Sequence, residues 1–379
     1  FFVQSQIFSA HLDIRSSRFI SNSADQVSCI AMLKRSIVYS TDPTGASYFN
    51  FQDLYFEDNR AEYGIGALMY LADRPKLKNI TFSGMVFRHN LAPTRGYFVL
   101  ESDRIGAIRF SDASLISISD LSASVIFNNL TFEGFSGSVP LRPSYNYPQS
   151  SLYEIHRIQA HACEYVTLNS LTYIGATPGA GVGTYIQLAN LQYAVINNTV
   201  INTIDRRPSK LPPGALPWTL ISVTRTQSDV FLGLLTQIES LSVMGWGALH
   251  DTTLLFARML RHLSLKDWAV SGIESSESTP LMNLESVAVV DLVRSSFFDF
   301  ANPILISNSE SVTIMDISLE VYSSSIAIVR ISESRKIYLA EITGRYSTAA
   351  FFSMQGVVTT NIRDSTFLNS TLQVPDSGA

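Results

Sequence analysis

The sequence predicts an all-β protein: a single right-handed parallel β-helix, a three-sided β-solenoid of about 12 to 13 coils. Three observations carry that prediction. An eight-residue pattern recurs twelve times along the chain. Its fifth position is nearly always a turn-forming polar residue. Where the pattern is best preserved, that position returns every 23 to 27 residues, which is room for three short strands and their corners.

The pattern reads apolar, any, apolar, any, polar, small or apolar, any, apolar. It is plain in Leu12 to Phe19 and returns almost unchanged in Thr360 to Phe367. Between them lie Phe49 to Phe56, Val125 to Phe132, Val166 to Tyr173, Ala194 to Ile201, Leu263 to Val270, Val312 to Leu319 and Ile337 to Gly344. Weaker copies run from Pro75 to Phe82, Thr236 to Val243 and Val287 to Arg294. Alternation of period two turns one set of side chains inward and the other to water. The fifth position holds Ser16, Asp53, Asn79, Asn129, Ser170, Asn198, Ser240, Asp267, Asp291, Asp316, Glu341 and Asp364. All but Glu341 are residues that bond their own backbone and bend it, so each copy is a strand, a corner and a second strand. A further apolar run, such as Ile304-Leu305-Ile306, precedes each corner and supplies the third strand. Coils stacked ~4.8 Å apart would make a rod of order 60 Å.

Composition agrees. Of 379 residues, 46% are apolar and 16% charged, against roughly 25% charged in ordinary soluble domains. The net charge of -5 is mild, so no nucleic-acid partner is expected. No apolar run reaches the ~18 residues that span a bilayer. Cys29 and Cys163 are too few for a disulfide framework. They fall several coils apart, so two buried thiols are expected. Both ends are full copies of the pattern, so residues 1–379 are expected to be one continuous segment of a longer β-helix.

A leucine-rich repeat has an overlapping period of 20–29 residues. It requires Asn or Cys where this chain carries Trp268, Leu292, Ile317 and Ile342, and those apolar residues favour the β-helix. Phrases such as Asn79-Ile80-Thr81-Phe82-Ser83-Gly84 and Asn129-Leu130-Thr131-Phe132-Glu133-Gly134 make the chain resemble the pectin-lyase-like superfamily of right-handed parallel β-helices. By that resemblance, Asn79, Asn129 and Asn198 look like an asparagine ladder, in which stacked amides satisfy one another at a tight corner. The resemblance concerns the fold, and function is argued from sites.

Catalytic signatures are scarce. The resemblance implies Asn-Thr-Asp, Asp-Asp, Gly-His-Gly and Arg-Ile-Lys phrases in the hydrolases of the fold, and the chain has none of them. The lyases of the fold use Asp clusters that bind Ca²⁺, and no such cluster stands out locally. A pair of carboxylates could still come from neighbouring coils. His156 and His161 are five apart, and His250 and His262 twelve apart, which matches no metal motif. Gly179-Ala180-Gly181-Val182-Gly183 lacks the Lys of a phosphate loop and reads as a flexible corner.

Two features point to binding. Asp267, Asp291, Asp316, Glu341 and Asp364 fall on successive coils. Stacked carboxylates repel unless solvated, bonded or bridged, so a Ca²⁺-binding edge is the one cofactor possibility. Corner spacings widen to 41, 28 and 42 residues after Asn129, Ser170 and Asn198. The extra residues, 134–150, 175–183 and 204–217, should emerge side by side on one flank. Phe135, Arg142, Tyr145, Tyr147, Arg206, Arg207, Lys210 and Trp218 would give that flank aromatic and cationic contacts. Sequons at Asn79, Asn129, Asn197 and Asn369 lean toward a secreted glycoprotein.

The expected function is that of an extracellular structural protein, a surface or filament component that assembles with copies of itself or with other surface proteins. The alternatives are a polysaccharide-degrading lyase or glycoside hydrolase, and an adhesin that binds glycans without cleaving them.

Overall fold

The computed structural model describes residues 2–4, 11–24, 30–33, 47–61, 69–72, 77–88, 97–100, 108–111, 113–119, 124–133, 155–161, 165–174, 183–189, 191–203, 218–225, 235–245, 252–273, 279–300, 303–321, 327–345 and 350–368. Among these residues every regular element is a β-strand. Two large sheets run the length of the molecule, and every adjacent pair within them is parallel.

The first wall is a sheet of twelve strands, from Phe2–Gln4 to Phe352–Gln355, stacked in sequence order with one strand per coil. The second sheet also has twelve strands along its path, from His11–Arg15 to Thr359–Arg363. It bends in every coil at one corner, which divides it into a second and a third wall. Where the bend breaks the strand, the two halves separate, as in Ser47–Gln52 and Tyr55–Glu57. Twelve coils and three walls make a parallel β-helix.

The bend has one cause. At this corner one residue per coil takes the left-handed conformation, with φ between +46° and +61°: Ser16, Asp53, Gly84, Asn129, Ser170, Asn198, Ser240, Asp267, Arg294, Asp316, Glu341 and Asp364. Asp, Asn, Ser and Gly tolerate that region best, which explains the polar column in the sequence. The coil ladder runs through the corner: the amides of Asp53 and Asp267 donate to the carbonyls of Ser83 and Val293 at 2.9 and 3.2 Å.

Two corners depart from the expected column. Gly84 and Arg294 stand where Asn79 and Asp291 were expected. Asn79 lies five residues before the corner, in the strand Leu77–Arg88. Asp291 faces outward from the second wall, in register between Ser264 and Thr313. Between Asn79 and Asn129 the coil step is single, because Leu77–Arg88 pairs directly with Ser124–Glu133. An antiparallel pair, Tyr97–Leu100 with Ile108–Ser111, occupies part of the extra length.

Inside, alternate residues pack in columns. Phe19, Phe56, Phe87, Phe132 and Tyr173 stack face to face at 4.8 to 4.9 Å, and Phe51, Phe82 and Phe127 at 4.8 to 5.1 Å. These spacings equal the distance between paired strands, so ring stacking and backbone pairing enforce the same register. Later coils fill the columns with aliphatic residues such as Ile314 and Leu339. Trp268 is fully enclosed, and its indole N–H donates to the Ile238 carbonyl at 3.0 Å. At Gly344 the column is left short, and the ring of Phe351 fills the gap from the neighbouring wall.

The amide ladder does not form at the expected residues. Asn59, completely buried, accepts from the Asn22 amide N–H and side chain at 3.0 and 2.8 Å and donates to the Phe19 carbonyl at 2.8 Å. On the outside, Asn169 donates to Asn128 at 3.1 Å, one position before the corners at Ser170 and Asn129.

Candidate functional site

Charged groups on the outer surface come in matched stacks. With Arg294 in the corner column, the row of five acids is interrupted. Its guanidinium donates to both carboxylate oxygens of Asp267 at 2.7 and 2.8 Å, and that bond holds the Asp267 carboxyl below its ordinary range. Asp291 instead meets His262, Nε2 to Oδ2 at 2.8 Å. The continuous acidic edge proposed for Ca²⁺ is therefore corrected. Asp316, Glu341 and Asp364 keep corner positions, and among the described residues no three His, Cys, Asp or Glu side chains are grouped to hold a metal.

The third wall repeats the motif. Arg88 lies between Glu57 and Glu133 of the adjacent coils, at 3.9 and 3.5 Å. A bond to the Tyr55 side chain and the charge of Glu133 raise the Arg88 pKa. On the second wall, Arg15 binds Asp13 and lowers its pKa. In the third-wall stack one guanidinium is shared by two carboxylates of the adjacent coils, so these carboxyl groups are held by ion pairing. General acid–base chemistry needs two carboxyl groups in different environments with room between them. Arg294 with Asp267 and Arg88 with Glu57 and Glu133 are cross-coil pairs, whereas Arg15 and Asp13 pair within one strand.

The expected insertions, 134–150, 175–182 and 204–217, lie outside the described residues. Strands Ser124–Glu133, Tyr165–Ile174 and Tyr193–Thr203 are consecutive, and Glu133, Ile174 and Asn202 align at or next to their last residues. Phe135, Arg142, Tyr145, Tyr147, Arg206, Arg207 and Lys210 lie outside the described residues, as do Asn369, Cys29 and Cys163. Trp218 is the first residue of a first-wall strand, Trp218–Thr224, and not part of a loop. Of the other sequons, Asn79 and Asn129 are exposed. Asn197 is half-buried on the second wall, and its partner Thr199 points fully into the core.

The same three coils carry a surface not evident from motifs. Outward from the second wall stand Ser124, Ile126 and Asn128, then Tyr165, Thr167 and Asn169, then Tyr193, Val195 and Asn197, in register from coil to coil. None of the nine is charged at neutral pH. Tyr165 and Tyr193 stack with centroids 4.8 Å apart and planes within 3°. Tyr165 is 42% exposed. Its neighbour on the other side is the small Ser124, whereas Tyr193 lies between Tyr165 and Leu235. The legible signal was the tyrosine immediately before two copies of the repeat, at Val166 and Ala194.

No family model and no curated protein matches the chain. Two solved structures do: a catalytic domain of GH87 alpha-1,3-glucanase in complex with nigerose, and a variant of that domain with the same ligand. Each is 9% identical and covers 95% of this chain, with TM-scores of 0.25 and 0.24. The chain spans 63% of the length of those structures. At these values the likeness carries no argument about chemistry, and the fold rests on the strand pairings above.

Proposed function

We propose that the protein is a structural β-solenoid of an extracellular surface or filament, assembling head to tail with copies of itself. One observation carries this reading. In the coil spanning residues 350–368 the inward positions are apolar but incompletely covered: Ile362, in register with the buried Leu339, is 55% exposed, and Phe367, in register with Gly344, is 36% exposed. Among the described residues its strands pair on one side only, with Lys336–Arg345 and Val329–Ser332. Unpaired parallel edges of this kind are templates for a further strand. Among the described residues the opposite edge, at Phe2–Gln4, His11–Arg15 and Arg18–Ile20, is likewise paired on one side, and it belongs to the same walls with the same strand direction. Joining unlike ends gives a heterologous contact that does not close on itself, and its product is a filament.

Sedimentation and negative-stain microscopy test this. Wild type should form rods that lengthen with concentration, and Ile362→Lys should leave single rods. Wild type that stays monomeric at high concentration would sink the reading.

A further inference from the structure

We propose that the second wall between Ser124 and Asn197 is a binding platform for a neutral polysaccharide chain. Tyr165 would stack on one sugar ring, and the Asn128, Asn169 and Asn197 amides, about 13 Å further along the strands, would bond hydroxyls of other sugars in the same chain. The aromatic part rests on register. In a column of stacked rings only the terminal face is free, and Tyr165 is the terminal ring here, because Ser124 is too small to cover it. An exposed flat ring on a sheet is a hydrophobic surface with a polar hydroxyl tip, suited to a ligand with one apolar face and a polar rim.

The polar part rests on unused bonding capacity. Each amide offers two donors and a carbonyl oxygen. Asn169 and Asn128 use one donor and one acceptor on each other, and among the described residues the Asn197 side chain has no partner. The three amides stand in one column, so they offer donors and acceptors at the repeat of the coils.

Neutrality selects the ligand class. Further along the same wall the equivalent columns hold Glu239, Lys266, Asp291, Lys336 and Arg363. Among the nine described outward residues of the platform none offers a cation to an acidic glycan or an anion to a basic one. A sugar chain whose only polar groups are hydroxyls matches it.

The test uses protein made in bacteria, so that Asn197 carries no covalent sugar. An array of neutral and acidic oligosaccharides is followed by calorimetry with the strongest neutral ligand. The expected result is binding to neutral sugars alone, weakened about tenfold or more by Tyr165→Ala, as loss of an aromatic face implies. Asn169→Ala should weaken it severalfold, and Lys336→Ala should leave it unchanged. Circular dichroism should be unaltered, since all three side chains point outward. Ile362→Lys should bind as wild type does, which keeps this result separate from assembly. An array without neutral hits, a preference for acidic sugars, or affinity unaffected by Tyr165→Ala would overturn the proposal. So would dimerisation through this face that Tyr165→Ala abolishes without any sugar binding.

Discussion

The coils up to Tyr173 and those after Ser240 solve the same problem differently. In the early part, corners are 31 to 45 residues apart, and stacked phenylalanines run through the interior. In the later part, corners are 22 to 27 residues apart and the interior is largely aliphatic. A second left-handed residue joins each later coil, at Met259, Ser286, Asn308, Glu333 and Gly356, whereas among the described early residues a second one stands at Ser21 and Asp58 only. Aliphatic side chains fit many registers, so short coils with two fixed bends set the alignment there. Rings that must lie face to face accept one register, and they hold it even when a long insertion interrupts the coil.

The sharpest break should come where two backbones meet. A Cβ at Gly272 would lie 1.6 Å from the Gly245 carbonyl oxygen, at a φ of +69°. Gly272→Ala should cost about 3 kcal/mol or more in urea unfolding, since neither backbone can yield cheaply. Next, Phe87→Leu, between Phe56 and Phe132, should cost about 1–3 kcal/mol beyond Ile314→Leu, because it ends two ring contacts as well as leaving a poorer fit. Equal losses at the two sites would remove the distinction between ring-set and corner-set register. Glu341 holds a left-handed corner with a side chain poorly suited to it. Glu341→Asn should raise stability by about 0.5–1 kcal/mol, and Asn129→Glu should lower it by a similar amount.

The smallest effect is on pH dependence. Because Arg294 depresses the Asp267 pKa in the folded state, the pair's contribution is present above the ordinary carboxylate pKa of about 3.9. It is lost as pH falls through the lower folded value. Wild type and Arg294→Ala should therefore differ slightly near neutrality and converge in acid, followed by thermal melts across that range. The pair is exposed, so the difference should stay below about 1 kcal/mol.

The fold was legible because bends and alternation are local properties, written in residues such as Asp53, Ser170 and Asp316. The two misplaced corners show what local chemistry hides. Asn79-Ile80-Thr81-Phe82 and Asn129-Leu130-Thr131-Phe132 look alike, yet Asn129 is a corner and Asn79 precedes one by five residues. Only the pairing of Phe82 with Phe127 reveals the offset. Arg294 is an unlikely turn former by composition, but Val290, Leu292 and Phe297 around it fit the repeat with nothing displaced. Its bidentate bond to Asp267, one coil back, helps it hold that bend. The candidate platform was less legible, since Tyr165, Asn169 and Asn197 become neighbours only across coils.

In a stack of coils each layer touches only those above and below, so the rod can unravel from an end one turn at a time. Phe351 changes that sequence. It crosses from the first wall into the space beside Gly344 and lies 5.1 Å from Phe367. Peeling off the outermost turn therefore means withdrawing a plug as well as unzipping strands. Amide exchange should fade steeply at this layer, with Thr366–Leu368 opening freely and the strand Lys336–Arg345 protected.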